Sequence, residues 1–293
     1  MEPLEPFGSI DVNITLVDAI AAAPESAPEV LQHDFDDTKS VSAVDAADGA
    51  TIITFSGACR FRITAGTIEM WPFTSSDLDI AIILLQGWVM SMVLARRECL
   101  VLHASAVETE RGCIALVGDS GMGKSTVTAM LIRDGADLVS DDVFRVARIA
   151  DGPWLGYPGI TALRLRESAR ELAAELSHVD LTTTVDDRLL VHRRRKRAEP
   201  MPLLAVLFPD PSRSAAKVTL DWMEAKYAAV ELDQTPRVYD WKIAEPARRH
   251  FGQVVQLASD VPVGTLTIPW GPPWVAGLLE NVESLVLEQY RDS

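Results

Sequence analysis

The chain has 293 residues, of which 48% are hydrophobic, so it can bury a sizeable core in one large domain or in a main domain with a smaller one. Its formal net charge at pH 7 is −15. Such a charge repels phosphate backbones, which argues against general nucleic-acid binding and means that any anionic ligand needs a local site.

Cysteine usage and the first residues predict the compartment. The chain has three cysteines, Cys59, Cys99 and Cys113. Because the number is odd and the spacing matches no metal-binding pattern, neither a closed disulfide framework nor a zinc site is expected. Met1–Phe7 carries acidic residues and prolines instead of a basic and then apolar segment, so no signal peptide is expected. A cytoplasmic protein is therefore predicted.

Residues 1–98 are predicted to form a β-rich N-terminal region. One strand is expected at Asn13–Val17, and three short runs between Thr51 and Trp71 are separated by Ser-Gly and Ala-Gly pairs, which predicts a small antiparallel meander. The segment Leu78–Ala95 is almost continuously apolar over a length close to a membrane span. Because polar residues interrupt it, we predict a buried helix and no membrane contact, with a membrane span as the alternative.

Residues 99–293 are predicted to form an α/β domain. A strand at Cys99–His103 precedes a second buried strand at Cys113–Val117, and a helix follows at Lys124–Arg133, closed by Gly135. Further elements are expected at Asp137–Ser140, Val143–Ile149, Glu167–Leu176, Leu203–Phe208, Lys217–Trp222, Pro246–Gln256 and Pro273–Tyr290.

A glycine-rich loop between the second strand and the helix matches G-x-x-x-x-G-K-[ST], the spacing of a phosphate-binding loop or Walker A motif. Its glycines allow successive N–H groups to face one anion, and the following helix directs its positive end to the same point. Lys124 is expected to reach the outer phosphates of ATP, and Ser125 to ligate Mg²⁺. The predicted nucleotide-binding residues are Gly118, Asp119, Ser120, Gly121, Met122, Gly123, Lys124, Ser125 and Thr126.

Two adjacent carboxylates, Asp141 and Asp142, follow the next predicted strand. In a kinase site one carboxylate can accept a proton from a hydroxyl nucleophile while the other supports Mg²⁺; the alternative is an exposed acidic turn. His103 ends the strand before the loop strand, so in a parallel or mixed sheet it could stand beside the phosphates. Its alternative is an ordinary core histidine.

These motifs resemble a known family. The sequences LHASAV at 102–107, IALVGDSGMGKST at 114–126 and LIRDGADLVSDDVFRV at 131–146 look like the catalytic core of the HPr kinase/phosphorylase family. The LHASAV form is closer to the smaller HPr-kinase-like serine kinases, many of which accompany ribosomal peptide biosynthesis. The resemblance implies a P-loop kinase core with a mixed sheet, shared with phosphoenolpyruvate carboxykinases, and phosphoryl transfer to a serine hydroxyl.

The resemblance also assigns roles. It implies that Asp141 is the base, Asp142 its metal-side partner and His103 the residue that assists them, although the division between the two aspartates stays open. Asp187-Arg188 falls where kinase-like members have an acidic residue followed by a cation, so Arg188 is a candidate for stabilising the transferring phosphoryl group. Arg164, in a Leu-Arg-Leu segment that resembles the same members, is a second candidate.

Differences from the family's sequence pattern narrow the activities and substrates that are expected. The longer signature that bifunctional members use for their carrier protein and for phosphorolysis has no convincing counterpart, so neither phosphorylase activity nor HPr as substrate is expected. The first hundred residues also do not resemble the N-terminal domain of those enzymes. Bifunctional members form rings, which leaves a homo-oligomer open for this chain.

Three functions remain after this comparison. The leading prediction is an ATP- and Mg²⁺-dependent kinase for a hydroxyl, expected to be serine on a peptide or small protein. The alternatives are a small-molecule kinase, for instance for free serine, and a regulatory nucleotide-binding module. A basic run is either a solvated loop or a patch that recruits an acidic peptide: Arg193, Arg194, Arg195, Lys196 and Arg197. Trp270 and Trp274 are expected to pack the final helix.

Overall fold

A computed structural model describes residues 12–149, 152–176, 182–192 and 198–291. These residues pack as two units. The first contains the described residues up to Cys99 together with Val238–His250, and the second contains Leu100–Arg237 and the residues from Phe251 onward. The sequence assigned residues 238–250 to the second domain, but they pack with the first unit. The division into domains 1–98 and 99–293 stays a prediction, because packing does not test independent folding.

The first unit is built on a six-stranded sheet in the order β1-β6-β5-β4-β3-β2. Its strands are β1 Asn13–Leu16, β2 Glu29–Asp34, β3 Ser40–Asp45, β4 Thr51–Phe55, β5 Cys59–Ile63 and β6 Thr67–Pro72. The antiparallel pairs β4 with β5 and β5 with β6 confirm the predicted meander. Strand β1 pairs in parallel with β6.

The apolar segment after this sheet forms helices α1 Leu78–Leu84 and α2 Met90–Arg96, joined by a π-helical turn. Within that turn the carbonyl of Gly87 accepts a hydrogen bond of 2.9 Å from the hydroxyl of Ser91, a residue that otherwise looks misplaced in an apolar run. One side of the helix, including Trp88 and Met92, packs in the same core as β-strand residues.

The apolar segment Ser75–Arg96 has a composition that suits either a membrane span or a core helix. Ser75–Arg96 is long and apolar enough to cross a membrane by length and composition, and 44% of its most apolar window is buried in the protein. The predicted core packing is thus confirmed for one side of the helix. The expectations of a cytoplasmic location and of no membrane contact stay predictions.

The second unit contains the remaining strands and helices. The strands are β7 Leu100–Leu102, β8 Ala104–Glu108, β9 Cys113–Val117, β10 Asp137–Ser140, β11 Phe144–Arg148, β12 Trp154–Gly156, β13 Ala162–Arg166, β14 Thr182–Thr183, β15 Arg188–His192, β16 Met201–Ser212, β17 Thr219–Trp222 and β18 Val263–Pro269. The helices are α3 Lys124–Arg133, α4 Arg170–Glu175, α5 Ala225–Asp233, α6 Ala244–Asp260, whose first residues lie in the first unit, and α7 Leu278–Gln289.

The main sheet of this unit runs β10-β8-β9-β16-β12-β11-β7, with β18 beside β16 and β17 beside β18. Strand β9 is antiparallel to β8 and parallel to β16, so the sheet is mixed. The predicted α/β class with a mixed sheet is therefore confirmed. The closer assignment, to the core that HPr kinases share with phosphoenolpyruvate carboxykinases, stays a prediction.

Both faces of the main sheet are covered, and this explains why β9 has no polar residue. Ile114 and Leu116 point into a core shared with α3 and α7, whereas Cys113, Ala115 and Val117 point into a second core shared with α5 and α6. A strand that is buried on both faces loses the usual polar alternation. The loop that follows β9 therefore starts from a rigid central strand.

Candidate functional site

The glycine-rich loop lies between β9 and α3, in the strand–loop–helix context that its sequence predicts. Gly118, Gly121 and Gly123 have φ angles of 133°, 96° and 89°. Residues with side chains rarely adopt such angles, so each glycine meets a conformational requirement of the loop. The loop ends at the N-terminus of α3, where the helix dipole favours an anion.

Lys124 is held inside this loop. Its Nζ donates hydrogen bonds to the carbonyl of Gly118 at 2.6 Å and to that of Asp119 at 3.0 Å. Burial lowers the pKa of Lys124 to about 8, although the negative charges of Asp142 and Asp141 act in the opposite direction. A bound anion would favour the charged ammonium, so the loop is suited to a ligand that brings negative charge.

A cavity of about 250 Å³ opens in front of the loop. Ser125 and Thr126, in the first turn of α3, line it, whereas Met122 is about half exposed and does not. The lining residues are His103, Ser105, Ser120, Gly121, Gly123, Lys124, Ser125, Thr126, Asp141, Asp142, Arg164, Arg166, Ser168, Arg188 and Trp270. Of the nine loop residues predicted to bind nucleotide, Gly118, Asp119 and Met122 are thus outside the lining.

Asp141 is a buried carboxylate on the side of the cavity formed by the end of β10. Its Oδ1 accepts a hydrogen bond of 2.5 Å from the hydroxyl of Ser105, and its Oδ2 accepts one of 3.2 Å from the backbone N–H of Arg164. Burial raises the pKa of Asp141; Ser105 opposes this shift, and the nearby charge of Asp142 adds to it. A carboxylate with a raised pKa accepts a proton more readily, as a general base must.

Asp142 occupies a strained turn. Its φ is 70°, and the N–H of Val143 donates to the carbonyl of Asp141 at 2.9 Å, which makes Asp142 the central residue of a γ-turn. Such strain is found where the surrounding structure needs a side chain in a particular direction. Here it directs the carboxylate of Asp142 towards His103, whose Nδ1 lies 3.1 Å from Oδ1, and Arg237, whose Nη2 lies 2.8 Å from Oδ2.

The two aspartates are shifted in opposite directions. Burial alone would raise the pKa of Asp142, but Arg237 and His103 hold it well below its ordinary value. Asp142 is therefore ionised, while its neighbour Asp141 has an increased tendency to hold a proton. Neighbouring carboxylates whose environments separate their pKa values can take different roles in one reaction.

An arginine-rich strand pair forms another part of the cavity lining. On β13, Leu163 and Leu165 point into the core, so the alternation of the strand sends Arg164 and Arg166 the other way. Arg188 on β15 is the register partner of Arg166 and also lines the cavity. The structure therefore brings both arginines named from the sequence, Arg188 and Arg164, to the same cavity as His103, Asp141 and Asp142.

Several lining residues were not identified from the sequence: Ser105, Arg166 and Ser168. Ser105 lies inside the LHASAV motif, and period-2 alternation in the run LRLR would have placed Arg166 beside Arg164. Arg237 contacts Asp142 from 95 residues further along the chain, and no local pattern marks it. The basic run Arg193–Arg197 lies outside the described residues.

Trp270 has two environments. As predicted, it packs near the last helix, with its ring 5.0 Å from that of Trp274 in an edge-to-face contact, and both rings adjoin the core that contains α7. Trp270 also lines the cavity, and a Cβ on Gly123 would lie 3.4 Å from its ring. The expectation of packing alone is therefore incomplete.

The oxygen donors in the cavity fit Mg²⁺ in the presence of a nucleotide. Mg²⁺ is usually bound through one or two carboxylates together with substrate phosphates. The hydroxyl of Ser125 and the carboxylate of Asp142 provide such donors on the cavity surface. Within the described parts of the chain, no group of three or more His, Cys, Asp or Glu residues could hold a metal, so phosphate oxygens would have to complete the site.

No protein-family model matches the sequence, and no curated protein matches it. Among solved structures, the chain is similar to the Hpr(Ser) kinase/phosphatase from Coxiella burnetii, with 11% sequence identity and a TM-score of 0.32, over 66% of this chain and 97% of that chain. A likeness at this level does not identify a function. The resemblance of the motifs to HPr kinases therefore rests on the sequence motifs alone.

Proposed function

We propose that this chain is an ATP- and Mg²⁺-dependent kinase that transfers the γ-phosphoryl group to a hydroxyl, with serine on a peptide or small protein as the expected acceptor. One observation carries the proposal. A buried lysine in a glycine-rich loop shares a cavity with two adjacent carboxylates whose pKa values are shifted in opposite directions. A passive nucleotide-binding module needs the loop and Mg²⁺, but it does not need a carboxylate suited to accept a proton.

The loop supplies nucleotide binding. Its N–H groups and the N-terminus of α3 favour the phosphates, and Lys124, whose pKa burial lowers to about 8, adds a positive charge that bound phosphate would stabilise. Ser125 and Asp142 would hold Mg²⁺, which when bound neutralises charge on the β- and γ-phosphates. Arg237 and His103 keep the carboxylate of Asp142 ionised and oriented for that role.

Asp141 supplies proton transfer. As the acceptor oxygen forms its bond to the γ-phosphorus, the bond from that phosphorus to the β–γ bridging oxygen breaks, and its electron pair leaves with ADP. The hydroxyl proton passes to the carboxylate of Asp141. Ser105 and the N–H of Arg164 fix this carboxylate in the cavity through two hydrogen bonds, so it need not reorient during the reaction.

A small-molecule acceptor is the second candidate. It is favoured by the cationic part of the lining, since Arg164 and Arg188 are suited to the carboxylate of a small hydroxylated metabolite such as free serine. The basic run that favours an acidic peptide lies outside the described residues. The two candidates differ only in what carries the hydroxyl.

The test is transfer from γ-labelled ATP with Mg²⁺ to a panel of serine-containing peptides, small proteins and free hydroxylated metabolites. We expect Asp141→Asn to bind ATP and to lose transfer by about 10²–10⁴-fold, because a general base typically supplies that factor. Lys124→Ala should lose productive use of ATP. Asp221→Asn makes the same chemical change at an exposed strand position and should retain transfer.

Each result separates the candidates. Label on a peptide or protein supports the first acceptor class, and label on a metabolite supports the second. ATP binding with no labelled acceptor in the whole panel would favour the nucleotide-binding module. Full turnover by Asp141→Asn would remove Asp141 from the mechanism.

A further inference from the structure

The three arginines of the cavity differ in how their charge is compensated. Arg164 forms an ion pair with Asp186, and Nε of Arg188 lies 4.0 Å from the same carboxylate. Arg166 has no acidic partner among the described residues, and its side chain is exposed. Its positive charge is therefore available to a ligand, whereas the charges of Arg164 and Arg188 are partly neutralised.

Arg166 also lies directly against the glycine-rich loop. A Cβ built on Gly121 would be 3.3 Å from Nη2 of Arg166 and 3.9 Å from its Cζ. The φ of Gly121 is 96°, so this position favours glycine for its backbone angle, and without a side chain there the guanidinium approaches the loop closely. An anion held by the loop would thus lie within reach of Arg166.

We propose that Arg166 is a catalytic residue that contacts the γ-phosphoryl group of ATP during transfer. This inference rests on the proposed kinase function and adds to it a residue that the family resemblance did not name. A guanidinium presents a planar fork of N–H donors that matches phosphate oxygens, and it stays charged throughout the reaction. An arginine supplied within the same chain can stabilise the charge of a phosphoryl transition state.

In the proposed phosphoryl transfer, Arg166 acts by electrostatic stabilisation. While the bond to the acceptor oxygen forms and the bond to the bridging oxygen breaks, negative charge is spread over the three equatorial oxygens of the phosphoryl group. Arg166 donates hydrogen bonds to these oxygens and exchanges no proton or electron pair. The hydroxyl proton goes to Asp141, and the electron pair leaves with ADP.

Arg166 lies against the glycine-rich loop, and this position favours contact with the phosphoryl group over contact with the acceptor. The guanidinium approaches Gly121, a residue of the segment that cradles phosphates, whereas Arg188 stands on the neighbouring strand and shares Asp186 with Arg164. Arg188 was the arginine that the sequence placed on the phosphoryl group. We assign this role to Arg166 because it has no acidic partner among the described residues, whereas Arg164 and Arg188 share Asp186.

The experiment compares the binding of MgADP alone with the binding of MgADP plus aluminium fluoride, which mimics the transferring phosphoryl group and needs no known acceptor. Calorimetry would be run on the wild-type chain, Arg166→Gln, Arg166→Lys and Arg170→Gln. Arg170 lies on α4 outside the cavity and pairs with Glu167, so its variant removes a nearby guanidinium without touching the site.

We expect aluminium fluoride to tighten MgADP binding by the wild type and by Arg170→Gln. Arg166→Gln should lose about 10²–10³-fold of that gain, the range that one transition-state donor supplies, and should bind MgADP alone within about threefold of the wild type. Arg166→Lys should keep part of the gain. A purely structural role would weaken both forms of the complex together.

Three outcomes would overturn the inference. No binding of MgADP by the wild type would remove the proposed kinase function and this inference with it. Normal MgADP binding with the full aluminium fluoride gain in Arg166→Gln would overturn the role of Arg166 alone. Equal weakening of both complexes would also overturn it, because Arg166 would then contribute to ground-state nucleotide binding and not to transfer.

Discussion

The contact between Asp142 and Arg237 helps to hold the carboxylate of Asp142 in the cavity. Side chains of Arg237 and Asp142 are 18% and 27% exposed, and the distance between Nη2 and Oδ2 is 2.8 Å. Removing one partner of a fully buried pair costs about 3–5 kcal/mol, because the remaining charge stays unpaired. Partial exposure and the remaining His103 contact lower this cost here.

We predict that Arg237→Met lowers the free energy of unfolding by about 1–3 kcal/mol at pH 7. The pKa of Asp142 is lowered in the folded chain, so its contribution is present above its ordinary value of 3.8 and is lost as the pH falls through and below that value. The difference between wild type and variant should therefore shrink in acid.

Denaturant titrations of Arg237→Met, Asp142→Asn and the double variant would measure this coupling. The double variant should be more stable than the sum of the two single effects predicts, since the neutral amide no longer needs a cation. Additive effects would contradict a direct interaction. Arg170→Met, at an exposed pair, should change stability by less than about 1 kcal/mol.

At the scale of single residues, local sequence motifs were sufficient to predict some of the residues that line the cavity. Lys124, Asp141 and His103 lie in short sequence patterns with a chemical meaning, and all three line the cavity. Arg237 approaches Asp142 through chain folding over 95 residues, and a single sequence carries no record of that contact. Strand alternation could have predicted that Arg166 faces away from the core, because Leu163 and Leu165 in the same run face it.

At the scale of elements, the segment that contains Gly159 supports the two aspartates. The N–H of Gly159 donates to the carbonyl of Val139 on β10 at 2.9 Å. A Cβ on Gly159 would lie 2.1 Å from Oγ of Ser140 and 3.1 Å from the carbonyl of Val143. Glycine is thus required because two segments approach closely next to the Asp141–Asp142 turn.

We predict that Gly159→Ala destabilises the chain by about 1–3 kcal/mol and lowers phosphoryl transfer, because the extra methyl group must displace Ser140 or the turn after it. Gly252→Ala is the matched control. Gly252 lies in α6 with nothing within 4 Å of its Cβ position, so the same change should stabilise by about 0.5–1 kcal/mol. Thermal unfolding and the transfer assay would measure both variants. Two variants with the same behaviour would contradict the close approach at Gly159.

Elements that the sequence missed have a common cause. Strand β18 and helix α5 are stabilised by packing in the second unit, where β18 pairs with both β16 and β17 and buried residues of α5 face the core. Helix α7 begins at Leu278, five residues after the predicted start at Pro273, since Gly277 adopts the left-handed φ of 65° at its N-cap. The positions of β18 and α5 depend on tertiary partners that local patterns do not name.

At the scale of the whole molecule, the chain returns to its first unit at Val238–His250, after most residues of the candidate site. His33 on β2 contacts Asp240 through Nδ1 at 2.7 Å and the hydroxyl of Tyr239 through Nε2 at 3.2 Å. Val238 is buried in the core of that unit, and Trp241 packs against it. A fragment that begins at residue 99 would therefore keep the segment Val238–His250 but lose the residues of the first unit with which this segment packs.

We predict that a fragment of residues 99–293 unfolds at a lower temperature than the full chain and binds more of a hydrophobic dye, because Val238 loses the core in which it is buried and Trp241 the core against which it packs. The same fragment with Val238→Ser and Trp241→Ser should bind less dye. A fragment as stable as the full chain, with no added dye binding, would instead support independent domains at residues 1–98 and 99–293. Thermal unfolding and dye fluorescence on the three proteins therefore decide whether residues 99–293 are stable without residues 1–98.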